Sequence, residues 1–137
     1  MKAVRWSALT MLLVSLAPSA DAADLDLTLR RTSLVNVNDG AGRWQFEGGK
    51  AFRGNRHVAN YASIRRVVVG GTDEQNTATV STTIFFLGRK PPENITLQGA
   101  HDFDSGNETG SVSAASPQFS SHIGKSFTRT GDALTIK

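Results

Sequence analysis

The chain contains no cysteine. That excludes disulfide bracing, thiol catalysis, thiolate-bound zinc and iron–sulfur clusters. Its histidines, His57, His101 and His122, stand far apart, and no pair has the spacing of a metal-binding motif. No G-x-S-x-G elbow occurs, so a hydrolase-type nucleophile has no sequence support. After residue 22 no stretch carries the apolar stripe of a helix, and none is apolar for long enough to span a bilayer. No motif for a metal or organic cofactor is present, so the expectation is a chain that works without one.

What is present begins with a leader pattern. Lys2 and Arg5 precede the apolar run Trp6 to Ala17, Pro18 ends it, and Ala20-Asp21-Ala22 has the small-x-small form read by signal peptidases. The run is too short for a comfortable membrane span. The expected organisation is a signal peptide over 1–22 and a single domain over 23–137, secreted or periplasmic. The formal charge of +3 falls to near +2 once Lys2, Arg5 and Asp21 are removed. Arg30, Arg31, Arg53, Arg56, Arg65 and Arg66 concentrate basic charge in the first half. They read as solvated strand faces. Without a basic stripe interleaved with stacking aromatics, nucleic acid is not an expected partner.

The rest is written in period two. Asp24 to Arg30 alternates polar and apolar residues without a fault. Thr77 to Leu87 is rich in β-branched and aromatic residues, with Ala78, Val80, Thr82, Ile84 and Phe86 on one face. Ile95, Leu97, Gly99, His101 and Phe103 share a face of the next strand. Turn sequences separate these runs at Asn38-Asp39-Gly40, Gly70-Gly71-Thr72-Asp73, Pro91-Pro92, Asp104-Ser105-Gly106 and Thr130-Gly131-Asp132. Many short strands joined by short turns predict an all-β, up-and-down antiparallel barrel of about eight strands. Closure removes the exposed edges on which strands aggregate. Gly48, Gly49, Gly99 and Gly124 fall in or beside strands, where bulges and sharp bends are made.

The order and spacing of several short motifs between Gly49 and Gly124 resemble the allene oxide cyclase barrel, shared by plant dirigent proteins. They are Ile95-Thr96-Leu97-Gln98-Gly99, then Ala114-Ala115, Phe119 and Gly124. The resemblance implies an eight-stranded barrel, commonly a homotrimer, whose lumen holds an apolar small molecule. Its cyclases close an unstable epoxide, an isomerase reaction, and its dirigent members steer radicals stereochemically. The plant cyclases place a glutamate and an asparagine on the first strand. Leu29 to Asn38 carries Asn36 and Asn38 but no carboxylate, so slow, sterically guided chemistry is expected.

The residues expected to line the lumen are the aromatics Trp44, Phe46, Tyr61, Phe86 and Phe103, with Asn36, Asn38 and His101 as orienting polar groups. His101 either faces the lumen, as a donor or base near neutral pH, or packs in a subunit contact. Asp102 and Asp104 read as a solvated strand end. The other reading is a non-catalytic structural or interaction module whose barrel is filled by its own side chains.

Overall fold

The computed structural model describes residues 24–40, 42–68, 77–88, 90 and 93–137. The expected leader over 1–22 and its cleavage site lie outside these residues. Eight strands follow one another: β1 (Leu25–Asn38), β2 (Gly42–Arg53), β3 (Arg56–Val68), β4 (Thr77–Phe86), β5 (Glu93–Asp102), β6 (Glu108–Ala115), β7 (Ser126–Thr130) and β8 (Ala133–Ile136). Each pairs antiparallel with the next and β8 returns to β1, so the barrel is closed in sequence order. A short 3₁₀ helix, Pro117–His122, joins β6 to β7. The predicted all-β up-and-down architecture is therefore the observed one. The Thr130–Asp132 turn also falls where expected, with Gly131 at φ 59°, a left-handed conformation that suits glycine.

The alternation read from the sequence decides what fills the barrel. Leu25, Leu27 and Leu29 of β1 point inward beside Ile84, Ile95, Leu97, Val112, Phe127, Leu134 and Ile136. These side chains pack one half of the barrel solid, with Phe86 and Phe119 stacked at that end, their ring centroids 4.6 Å apart. Where β5 pairs with β6 at Gly99 and Gly110, no room is left for a side chain. A Cβ on Gly99 would lie 1.9 Å from the Thr109 carbonyl oxygen, and one on Gly110 would lie 2.1 Å from that of Gln98. Only glycine permits that contact.

The strands differ in length, and this shapes the other half. β1 has 14 residues and β3 has 13, whereas β7 has 5 and β8 has 4. β8 covers β1 only from Leu25 to Thr28. The Leu29 N–H still donates to the Asp132 carbonyl; beyond it, among the described residues, β1 pairs with β2 alone, with a bulge between Arg31 and Ser33 set against Gly48 and Gly49. The inserted residue reverses which side chains face inward. Beyond the bulge, Leu34 and Asn36 stand opposite Glu47 and Gln45, on the inner face. The barrel thus has a packed end and an open mouth bounded by a β1 arm.

Candidate functional site

At the junction of the packed half and the mouth lies a cluster of buried charges. Glu47 on β2, Tyr61 and Arg65 on β3, Glu108 on β6 and Arg129 on β7 all point inward and are buried. Period two puts them there: Tyr61, Ser63 and Arg65 continue one inward face of β3, and Phe127 and Arg129 that of β7. Arg65 Nη1 donates to Glu47 Oε1 at 2.9 Å, and Arg65 Nε donates to Glu108 Oε2 at 2.5 Å. Arg129 Nη2 donates to Glu47 Oε2 at 2.8 Å, and the Tyr61 hydroxyl donates to the same oxygen. Arg129 Nη1 stands 3.8 Å from Glu108 Oε1.

The network fixes its own charge states. Burial pushes the Glu47 carboxyl upward, but hydrogen bonds from Tyr61 and Arg129 and the charges of Arg129 and Arg65 outweigh it and hold the group at about 2. The Tyr61 phenol is raised well above the ordinary tyrosine range, by burial first and then by its bond to the Glu47 carboxylate. Burial disfavours the Arg129 cation, yet Glu47 more than restores it and its pKa is raised. Two guanidinium and two carboxyl groups thus meet as ion pairs beneath the mouth.

His101 completes the cluster on the solvent side. Its Nδ1 is 2.8 Å from Glu108 Oε2. A carboxylate only accepts, so Nδ1 donates in this bond, and the bond fixes the orientation of the ring. The ring meets Phe103 edge-on at 4.7 Å. Above these groups a cavity of about 550 Å³ is bordered by Arg30, Arg31, Gln45, His101, Phe103 and Asp132, among others. A second hollow of about 280 Å³ adjoins it, lined by Asn36, Asn38, Trp44, Val67 and others, and shares Gln45, Arg65 and Phe103 with the first. The mouth is thus polar at its base and more apolar toward the β1 arm.

The fold distributes the sequence-predicted residues unevenly. Asn36, Asn38, His101 and Phe103 meet at the mouth. Asn36 Oδ1 accepts from Gln45 Nε2 at 3.0 Å, while Asn38 Oδ1 accepts from the Gly40 backbone N–H in the turn. Tyr61 is inside, as a member of the charged network. Phe86 is inside but at the packed end, beside a separate hollow with Arg53, Arg56 and His57. Phe46 is on the outer wall, because Gln45 and Glu47 take the inward positions of β2. Trp44 shares that outward face: its ring stacks on Phe46, carries the Arg66 guanidinium at 4.8 Å and donates from Nε1 to Asp39. It reaches only the rim of the smaller hollow. Phe46 therefore lies outside both hollows, whereas Trp44 borders the smaller one from the β2 side.

Arg65 is corrected in the opposite sense, since it is a buried ion-pair partner and not a solvated strand residue. Asp102 uses its carboxylate in the turn, accepting from the Asp104 backbone and Ser105 Oγ, and these bonds lower its pKa. The cavity does contain carboxylates, from Glu47 on β2, Glu108 on β6 and Asp132 in the β7–β8 turn, and none from β1. Glu47, Arg65, Glu108 and Arg129 were missed in the sequence because an alternating strand has two faces, and the aromatic face of β2 reads as the inner one.

Among the described residues, no helix is long and apolar enough to cross a membrane, and no cluster of side chains has the makings of a metal site. No family model matches the chain, and no curated protein matches it. Among solved structures, the barrel is similar to that of a pyocyanin demethylase, with a TM-score of 0.65 and 10% identity, over 84% of this chain and 98% of the other. At that identity the likeness shows the fold alone.

Proposed function

We propose that this barrel binds a small molecule with an apolar body and a polar edge in its mouth, and guides its conversion in the manner of an isomerase-like cyclase or a stereochemical template. The observation that carries this reading is the buried Glu47–Arg65–Glu108–Arg129 cluster at the base of an open cavity. Well-packed apolar residues often stabilise a core as well as a buried ion cluster does, or better. Ion clusters of this sort recur where charge, orientation or proton position matters to a ligand. In this reading Val67 and Phe103 contact the apolar body, and Asn36 and Gln45 orient the polar edge. His101, fixed by Glu108, presents Nε2 as the atom that accepts or returns a proton. The fold neighbour is named for an enzyme acting on a small molecule, which supports a ligand-binding mouth on this architecture. Export through the 1–22 leader is part of the same proposal.

The test is a fluorescence titration with N-phenyl-1-naphthylamine, a probe that is dark in water and bright in a dry site. Saturable one-to-one binding is expected, weakened about tenfold by Phe103→Ala through the loss of an aromatic contact. Absence of saturable binding would sink the proposal. It would favour the non-catalytic module, a reading that the solid packing of the other half of the barrel independently supports.

A further inference from the structure

The barrel is closed along only part of its length. From Arg30 to Asn38, β1 pairs with β2 on one side, and among the described residues no strand lies against its other edge. A bare edge presents a row of backbone donors and acceptors to any strand that approaches. Natural edges are usually guarded by lysine, proline, inward-pointing charge or a bulge. Here Arg31, which borders the cavity, and the bulge at Arg31–Ser33 stand at one end of the arm, and residues 33–38, SLVNVN, hold no charge and no proline.

The outer face of this arm is also apolar. Val35 and Val37 are 55% and 42% exposed. Strand register aligns Val35 with Phe46 and Ile64, themselves 39% and 41% exposed, and aligns Val37 with Trp44. An edge free of charge and proline from Ser33 to Asn38 and a continuous apolar row thus meet on one element.

We propose that a second copy of this chain occupies the edge, its β1 arm running antiparallel to the first about a twofold axis through Val35. The sequence is complementary to itself in that register. Val35 faces the same residue of the second copy, Leu34 faces Asn36, Ser33 faces Val37 and Thr32 faces Asn38. Opposed residues lie on the same sheet face, so Val37 and Ser33 extend the apolar outer row while Leu34 and Asn36 extend the inner one. No like charges oppose one another. A twofold contact of this kind is closed, so two barrels join and growth stops there. The added strand also stands beside Asn36 and Asn38 at the mouth, so the second copy supplies part of the wall that one barrel leaves open.

Because the chain has no cysteine, a single introduced thiol reports on the contact directly. Light scattering of the purified chain should give twice the chain mass. Val35→Cys should form a disulfide-linked dimer on mild oxidation, since opposed antiparallel residues lie about 4.5–5.5 Å apart, within disulfide reach. Thr128→Cys, on the exposed face of β7, should stay monomeric on a denaturing gel. Val35→Lys places two ammonium groups face to face and should weaken the dimer at least tenfold, and mixing it with Val35→Glu should restore a dimer of the two variants. A monomer or a trimer of the wild-type chain, or no restoration in the mixture, overturns the proposal.

Discussion

Replacing Glu47 with glutamine should reveal how much of the fold rests on the charged cluster. The wild-type carboxyl falls from the ordinary 4.5 to about 2 in the folded state. A depressed carboxyl stabilises the fold above its unfolded pKa, and this contribution is lost as pH falls through the folded value. A difference of that size corresponds to about 3 kcal/mol at neutral pH, with less than half of it left at pH 3. Glu47→Gln removes this contribution. It also leaves Arg129 without its nearest counter-charge and turns the Tyr61 bond into one between neutral groups. A loss of about 3–5 kcal/mol at pH 7 is expected, as for other buried pairs stripped of one partner. Urea denaturation at pH 7, 5 and 3 measures it. The gap between wild type and variant should narrow by about 2 kcal/mol between pH 7 and pH 3. A variant within about 0.5 kcal/mol of wild type at pH 7, or a gap independent of pH, would refute the reasoning.

Tyr61 is the single tyrosine of the chain, so ultraviolet absorbance follows it alone. With its pKa raised, its ionisation should be absent in the native protein at about pH 11 and appear only with unfolding; a simple titration centred near 10 would contradict the buried bond to Glu47. Stability that depends on the neutral phenol is complete below pH 10 and declines as pH rises beyond it. Gly99→Ala should cost about 1–3 kcal/mol or more in thermal unfolding, because its methyl meets the Thr109 carbonyl, whereas Gly40→Ala at an open turn should pay only for its positive φ, about 1 kcal/mol. Supplied with an allene oxide made in situ, the protein should close it slowly but with an excess of one cyclopentenone enantiomer. Glu47 and Glu108 are already matched by arginines and offer little free charge to a developing cation, so rapid turnover would count against that reading, and a racemic product against steric guidance.

The fold was legible because its signals are local. Strict alternation in Asp24 to Arg30, the β-branched run before Leu87 and the turn at Thr130 to Asp132 each specify a strand or a hairpin, and short connections leave an up-and-down order as the simplest path. The site was half legible. Asn36, Asn38, His101 and Phe103 do converge, since residues of one phase near one barrel end must do so. The phase of β2 was not legible. Trp44 and Phe46 look like core, yet Glu47 and Gln45 take the inward positions because their partners, Arg65 and Arg129, arrive from strands 18 and 82 residues away in sequence. A charge that is buried because a distant opposite charge is buried leaves no trace in a window of neighbouring residues. The bulge at Arg31 to Ser33 was hidden for a similar reason. It becomes visible only when β1 is laid against Gly48 and Gly49, and it decides which face Asn36 takes.

The claim that the mouth is the binding site is tested most directly by mapping backbone amide shifts as N-phenyl-1-naphthylamine is added to isotope-labelled protein. The shifts should concentrate at Asn36, Gln45, His101, Phe103 and Glu108, around the two joined hollows. Movement confined to Val58, Leu87 and Phe119, at the packed end, would place binding at the opposite end of the barrel and contradict the account.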